Sequence, residues 1–311
     1  MKRAVFQIAL LLLASLCLAA TDTTTSYHVK IHRHCSETQR EFTDRSGALS
    51  FDDASRTIRF QGIPEDKSEV PDKFDVSYDS ISKVVFEVTN RMRGGALPLF
   101  IAPISPAAGL SLAQEHVDDY WFYFEYKNGD QTQRILLKVP NRSANKVVAK
   151  ALSAFGPRVT LNDIPQQGKE IEKKKLPDIK SKEIAEVDRQ SHPLPEVKPD
   201  KATVVVVCPS LGASYVGHGS QFKLHANDQV IAVNRQGTYS FAYLDPGKYQ
   251  FVSQSENANG FEMQVEAGKS YYFLQNTFMG AVKWETSLSR NSPELVNYLL
   301  DGSYYSDWKR Q

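Results

Sequence analysis

Two short runs, Asp245-Pro246-Gly247-Lys248-Tyr249 and Glu266-Ala267-Gly268-Lys269-Ser270-Tyr271-Tyr272, decide the fold of residues 222–274, in which they sit. Apolar and polar residues alternate on either side of them, the period-two pattern of half-buried β-strands. Pro246 presets φ at the second position of a reverse turn, and Gly247 is expected to supply the positive φ that a type II turn needs next, so that the chain reverses into Tyr249. Gly268 is expected to do the same before the strand that opens at Ser270. The stretch specifies strands and turns and carries no reaction chemistry.

Working outward, residues 202–208, 219–224, 229–232, 237–244, 249–254, 260–265 and 270–276 read as strands at the regular spacing of a small β-sandwich. A short helix follows, with Ser292 as its cap, Pro293 at the first helical position and Gly302 as its stop. On the two turn motifs this half resembles a domain of unknown function of exported bacterial proteins, related in layout to PEGA-type and transthyretin-like sandwiches. The resemblance covers residues 201 to about 300. It implies a domain without assigned catalytic residues.

Ahead of it, residues 26–34, 56–60, 83–88, 121–127 and 134–139 are short β-branched or aromatic runs, and Asn128-Gly129 between the last two predicts a tight hairpin. Ser143 then caps a predicted helix whose stripe is Val147, Val148, Ala151, Leu152 and Phe155, ended by Gly156 and Pro157. Strands closed by one amphipathic helix, with His116 shortly before the aromatic run Tyr120-Trp121-Phe122-Tyr123-Phe124, resemble the pleckstrin-homology-like domains of some exported bacterial proteins over about residues 49–159. The resemblance implies a binding or scaffolding module. Phosphoinositide binding does not carry over, because the loop Phe51-Asp52-Asp53-Ala54-Ser55 lacks the basic cluster it would need.

Residues 166–201 turn polar, with Lys173-Lys174-Lys175, interleaved acidic residues, and Pro177, Pro193, Pro195 and Pro199. Such composition cannot bury enough surface to offset ordering entropy and reads as a charged flexible linker. The lysine run also suits an anionic membrane surface, but the acidic residues among it weigh toward a solvated tether. At the start, Lys2 and Arg3 precede an apolar run over residues 4–16, with Ala19 and Ala20 following, which is the pattern of a cleaved secretory signal. Leu16 before Cys17, where a lipid-modified cysteine normally follows Gly, Ala or Ser, argues against lipoprotein anchoring. The expected division is therefore 1–20 signal peptide, 21–165 pleckstrin-homology-like β domain, 166–201 linker and 202–311 sandwich.

The 311 residues, 41% hydrophobic, suffice for about two domains, and a net charge of +1 without a basic patch gives no reason to expect nucleic acid. Once the signal is removed, Cys35 and Cys208 remain; they either form one disulfide or leave Cys208 as a buried small hydrophobe ending its strand. His28, Lys30, His32 and His34 share one face of a strand, a geometry in which imidazoles can hold zinc or copper, but Lys30 repels a cation and the face reads as solvated. The run Gly212-Ala213-Ser214-Tyr215-Val216-Gly217-His218-Gly219-Ser220 lacks the lysine and helix of a phosphate loop. Ser214 or Cys208 with His218 and Asp245 makes a hydrolase triad only by selection after the fact, with no nucleophile elbow.

The remaining feature is the uncharged run 94–114, with Leu97, Leu99, Phe100, Ile101, Ile104, Leu110 and Leu112, in which Pro98, Pro103 and Pro106 forbid a spanning helix. It either caps the neighbouring core or binds lipid or a partner. The whole reads as a mainly β protein of two folded halves: a sheet closed by a helix, then a sandwich with a short terminal helix. The expected function is non-catalytic binding or scaffolding in the periplasm or outside the cell, with an envelope protein or membrane surface as partner and no metal or cofactor. The alternatives are a lipid-handling module using residues 97–112 and a secreted hydrolase or metal-dependent enzyme.

Overall fold

The computed structural model describes residues 25–34, 42–64, 71–92, 116–162, 168–172, 185–210, 220–279 and 284–308. Residues 1–20, expected to be a signal peptide, Cys35, the run 94–114, residues 212–219 of the glycine loop and Lys173-Lys174-Lys175 lie outside them. The protein is mainly β.

The N-terminal half contains β1 (Thr25–His34), β2 (Phe42–Asp52), β3 (Thr57–Gly62), β4 (Lys73–Ser77), β5 (Ile81–Met92), β6 (His116–Asn128), β7 (Gln131–Val139), α1 (Asn141–Phe155) and β8 (Val159–Asn162). They form one sheet in the order β4-β3-β2-β1-β7-β6-β5-β8, antiparallel except where β8 joins β5. Alternation along each strand turns Val29, Leu49, Phe60, Phe122 and Leu137 to one face, where α1 lays Ala144, Val147, Ala151 and Phe155. The helix is rotated from its expected stripe: Leu152 is 41% exposed. Its cap is Pro140, and Ser143 lies inside the first turn, its amide donating to the Pro140 carbonyl at 2.8 Å. The hairpin forms one residue late, with Asn128 facing Gln131 and Gly129-Asp130 as the loop; Gly129 takes the positive φ of +61°.

Sequence alternation missed β2, β4 and β8. In β2, Gly47, Ala48 and Ser50 sit among only a few large apolar residues, so propensity is weak and the neighbours in the sheet supply the stability. The half therefore begins at β1, and in Phe51-Asp52-Asp53-Ala54-Ser55 the first two residues end β2 while Asp53, Ala54 and Ser55 belong to the β2–β3 turn.

The second half comprises β9 (Lys169–Glu170), β10 (Ala185–Asp188), β11 (Ala202–Cys208), β12 (Phe222–Ala226), β13 (Gln229–Asn234), β14 (Thr238–Leu244), β15 (Gly247–Gln254), β16 (Ala258–Val265), β17 (Ser270–Met279), β18 (Trp284–Arg290), α2 (Pro293–Asp301) and β19 (Tyr304–Trp308). One sheet runs β10-β19-β14-β11-β17-β18 and the other β13-β12-β15-β16-β9. Val204, Val206, Leu224, Phe251, Phe261 and Phe273 fill the space between them. Two expectations change here. Gly247 has no positive φ; it opens β15 opposite Val265, so the Asp245-Pro246 turn is not of type II. Gly268 does take one, at +71°, and its amide donates to the Lys201 carbonyl at 2.9 Å. The linker boundary also moves. β9 pairs with β16, β10 pairs with β19, and residues 189–200 run between β10 and β11, so the described parts of 166–201 belong to the sandwich. Composition hid them because edge strands carry polar residues by design.

The halves are packed together. Val85, Tyr123 and Leu136 on the outer face of the first sheet share a buried cluster with Val205, Val207 and Tyr239 of the second, and α2 fills the space with Leu295, Val296 and Leu299. Glu87, only 1% exposed on β5, reaches across to the N-terminus of α2. It accepts from Asn291 Nδ2 at 3.0 Å, from the Ser292 amide at 2.9 Å and from the Ser292 hydroxyl. A carboxylate at that end also complements the helix dipole. Ser292 caps α2 as expected, accepting from the Leu295 amide, while Lys83–Glu294 and Arg134–Asp301 pairs flank the contact at 3.0 and 3.4 Å.

Candidate functional site

The face of β1–β4 opposite α1 carries small and polar side chains. Ser26, Ala48 and Ser50 form a low floor, and Arg59, Gln61, Lys73 and Asp75 rise around it, with Phe60 and Phe74 at the base. Twist of the sheet and the short floor residues together leave an open groove of about 710 Å³. Phe60 and Phe74 stack at 5.2 Å beneath it and hold its base rigid. Arg59 is anchored by Asp52 at 3.1 Å and more loosely by Asp75 at 3.9 Å. The Ser55 amide and hydroxyl, with Arg59, hold Asp52 below the usual carboxylate range against a weaker effect of desolvation. Fixed charges of both signs and hydroxyls over a shallow floor suit an extended polar ligand. The seryl hydroxyls and the Arg59, Lys73 and Asp75 charges can hold and orient such a ligand.

Along β1 the same face continues to His28, Lys30 and His32. The β1–β2 register sets His32 opposite Asp44, and its Nδ1 lies 2.6 Å from Asp44 Oδ1. Burial works to raise the Asp44 pKa, but the hydrogen bond and attraction of His32, with Lys138 and Lys30, outweigh it and hold the carboxyl below its ordinary value. Beside the pair, the Trp121 ring meets His32 edge-on at 5.5 Å and lies under Lys138 Nζ at 5.3 Å. Trp121 Nε1 donates to Thr89 Oγ1 at 2.9 Å, Lys138 pairs with Asp119 at 2.8 Å, and the Tyr298 hydroxyl of α2 donates to the His32 carbonyl at 2.6 Å. His32 thus belongs to a packed polar cluster at the junction. Among the described residues no group of three or more His, Cys, Asp or Glu side chains is placed to hold a metal ion.

Of the triad candidates, the two described residues, Cys208 and Asp245, are not brought together. Cys208 is a free thiol at 0% exposure whose pKa burial pushes up, and it pairs with Thr238 at one end of the β11–β14 ladder. Asp245 lies beyond the other end, where Ala202 faces Leu244, and is tied to Lys201 at 2.7 Å. Ser214, His218 and Cys35 fall outside the described residues. So do Leu97, Leu99, Phe100, Ile101 and Ile104. The turn residues are structural: the Tyr249 hydroxyl donates to the Asp245 carbonyl at 3.1 Å, and the Glu266 amide donates to the Tyr271 hydroxyl at 2.9 Å. Tyr271 faces the sandwich core, and Tyr272 points the other way, onto the junction cluster.

Sequence reading singled out none of the groove residues. Outward-facing Ser26, Ser50, Arg59 and Lys73 carry the pattern of any solvated strand face, and only the pairing of four strands makes them neighbours. Among the described residues no helix is long and apolar enough to cross a membrane. The chain matches no protein-family model, and no curated protein is significantly similar to it.

Proposed function

We propose that this is a non-catalytic binding or scaffolding protein that works after export, in the periplasm or envelope of a bacterium. The groove over β1–β4 carries the reading: an open surface lined by hydroxyl and charged side chains over an aromatic base, with Arg59 anchored by Asp52. Seven antiparallel strands followed by one helix support the pleckstrin-homology-like resemblance of a binding module, and the two-sheet sandwich supports the PEGA- and transthyretin-like one. Lys2, Arg3 and the apolar run behind them support export.

The test has two arms. The mature chain recovered from envelope fractions should begin just after Ala19 or Ala20 by N-terminal sequencing; an uncut cytoplasmic chain would refute export. A photo-crosslinker placed at Lys73 should trap a partner in the wild-type chain and not in Ser50→Trp, which fills the groove while leaving the fold intact by circular dichroism. Identical crosslinks in both would show that the groove is not the binding surface.

A further inference from the structure

Residues 191–199, Ser191-His192-Pro193-Leu194-Pro195-Glu196-Val197-Lys198-Pro199, lie outside both helix and strand yet are held in one place. Pro193, Pro195 and Pro199 fix their own φ near −65°, and each biases the residue before it away from the helical region. Six of the eight residues from 192 to 199 are thereby confined to extended, polyproline II-like backbone. Such a segment repeats every three residues, and the contacts follow that period. His192 meets the Tyr239 ring edge-on at 5.0 Å, and Lys198 sits over the Tyr243 ring at 4.0 Å, two turns further on. Leu194 and Val197, on another edge of the same helix, are 60% and 61% exposed.

The surface underneath is a row of rings on the outer face of β14 and β19. Tyr239 and Tyr305 are 5.6 Å apart, Tyr305 and Phe241 5.9 Å, and Phe241 and Tyr243 5.9 Å. Tyrosine hydroxyls address the segment's backbone: Tyr239 donates to the Pro193 carbonyl at 2.9 Å, and Tyr243 accepts from the Glu196 amide at 3.2 Å. Aromatic rings spaced along a groove, with hydroxyls turned to backbone groups, are the chemistry that reads a polyproline II ligand. The segment's two large aliphatic side chains point to water, so it is held by rings and hydroxyls and not by burial of its own apolar groups.

We propose that this aromatic row is a recognition surface for proline-rich extended segments, occupied in cis by residues 191–199 and open to a proline-rich segment of a partner protein when that strap lifts. The covalent connection through β10 and β11 gives the strap a high effective concentration, so the site is self-masked in the resting chain. This surface is separate from the groove on the first half and stands or falls independently of it.

The probe is a synthetic peptide of sequence 191–200, and the receptor is the full chain with residues 192–199 replaced by an equal length of Gly and Ser. Saturable binding of the peptide to that chain, with binding to the wild type at least about tenfold weaker, is the expected result. Replacing the three peptide prolines by Ala, or Tyr243→Ala in the receptor, should each weaken it by about tenfold or more. No saturable binding to a strap-replaced chain that retains its near-ultraviolet dichroism would overturn the proposal. Hydrogen exchange on the wild-type chain tests it even if the replaced chain does not fold. The Glu196 amide should exchange at least about a hundredfold faster than the amides of β11, through local lifting of the strap. Exchange of both at one common rate would make the strap an integral part of the sandwich and overturn the proposal.

Discussion

His225 is fully buried, with Nε2 2.7 Å from Gln254 Oε1 and Nδ1 without a hydrogen-bond partner. Burial pushes its pKa below the ordinary value; the Gln254 hydrogen bond opposes this, Lys223 adds to it, and Asp228 opposes it. The folded chain therefore takes up this proton less readily than the unfolded one. The stability owed to neutral His225 is complete above the unfolded pKa of about 6.5 and is lost as pH falls from there through the folded value. The thermal midpoint should decline as pH drops below about 6.5, and calorimetry of His225→Gln should show that limb flattened; an equal slope in the variant would assign the proton elsewhere. Two glycines in matching turn motifs make a second residue-scale test. Gly268 holds φ at +71°, so Gly268→Val should cost about 1–3 kcal/mol. Gly247 lies in a strand, where an added Cβ would meet only the Tyr249 ring at 3.6 Å, and Gly247→Val should change stability by less than about 0.5 kcal/mol in urea unfolding. The residues are legible up to this point and no further. Pro-Gly announces a change of direction, but which backbone angles achieve it depends on where the β14 and β15 ladders start. His32 announces a polar strand face, but its Asp44 partner emerges only from cross-strand register.

At the scale of elements, α2 is the piece on which the architecture turns. Its own sequence declares its limits, since Ser292, Pro293 and Gly302 stand where cap, first turn and stop require them. Its partner is silent in the sequence: Glu87 sits inside the apolar run of β5, where an acidic residue reads as the solvent side of an alternating strand. Glu87→Ala would leave the Ser292 amide and the Asn291 side chain buried without their acceptor. It should destabilise the chain by about 2–4 kcal/mol and split one thermal transition into two, while Glu87→Gln, which keeps an acceptor in place, should cost less. A single unshifted transition in Glu87→Ala would show that the clasp is dispensable. The strands that propensity missed, β2, β4, β8, β9, β10, β18 and β19, share a cause: each is short, polar or glycine-bearing, and each is stabilised by neighbours that lie far away in sequence or by an edge position.

For the molecule as a whole, the mainly β character, the hairpin, both helices and most strands of the sandwich follow from local pattern, whereas the contact between halves does not. Val85, Tyr123 and Leu136 look like ordinary strand residues, and nothing local says that their face is covered by α2. A consequence is that the halves should stay together without a covalent link. Cutting the backbone at a protease site engineered within residues 173–184 should leave two pieces that co-elute in gel filtration and separate only in denaturant; two independent peaks in native buffer would show that the shared cluster does not hold them. The strand order carries a further implication, for the sequence of events during synthesis. β10 borders β19 alone, and β19 inserts between β10 and β14 although it follows every other strand along the chain. Until residues 304–308 have left the ribosome, β10 has no edge to join and the six-stranded sheet stops at β14. The edge of the six-stranded sheet is thereby completed only after the rest of the second half has been made.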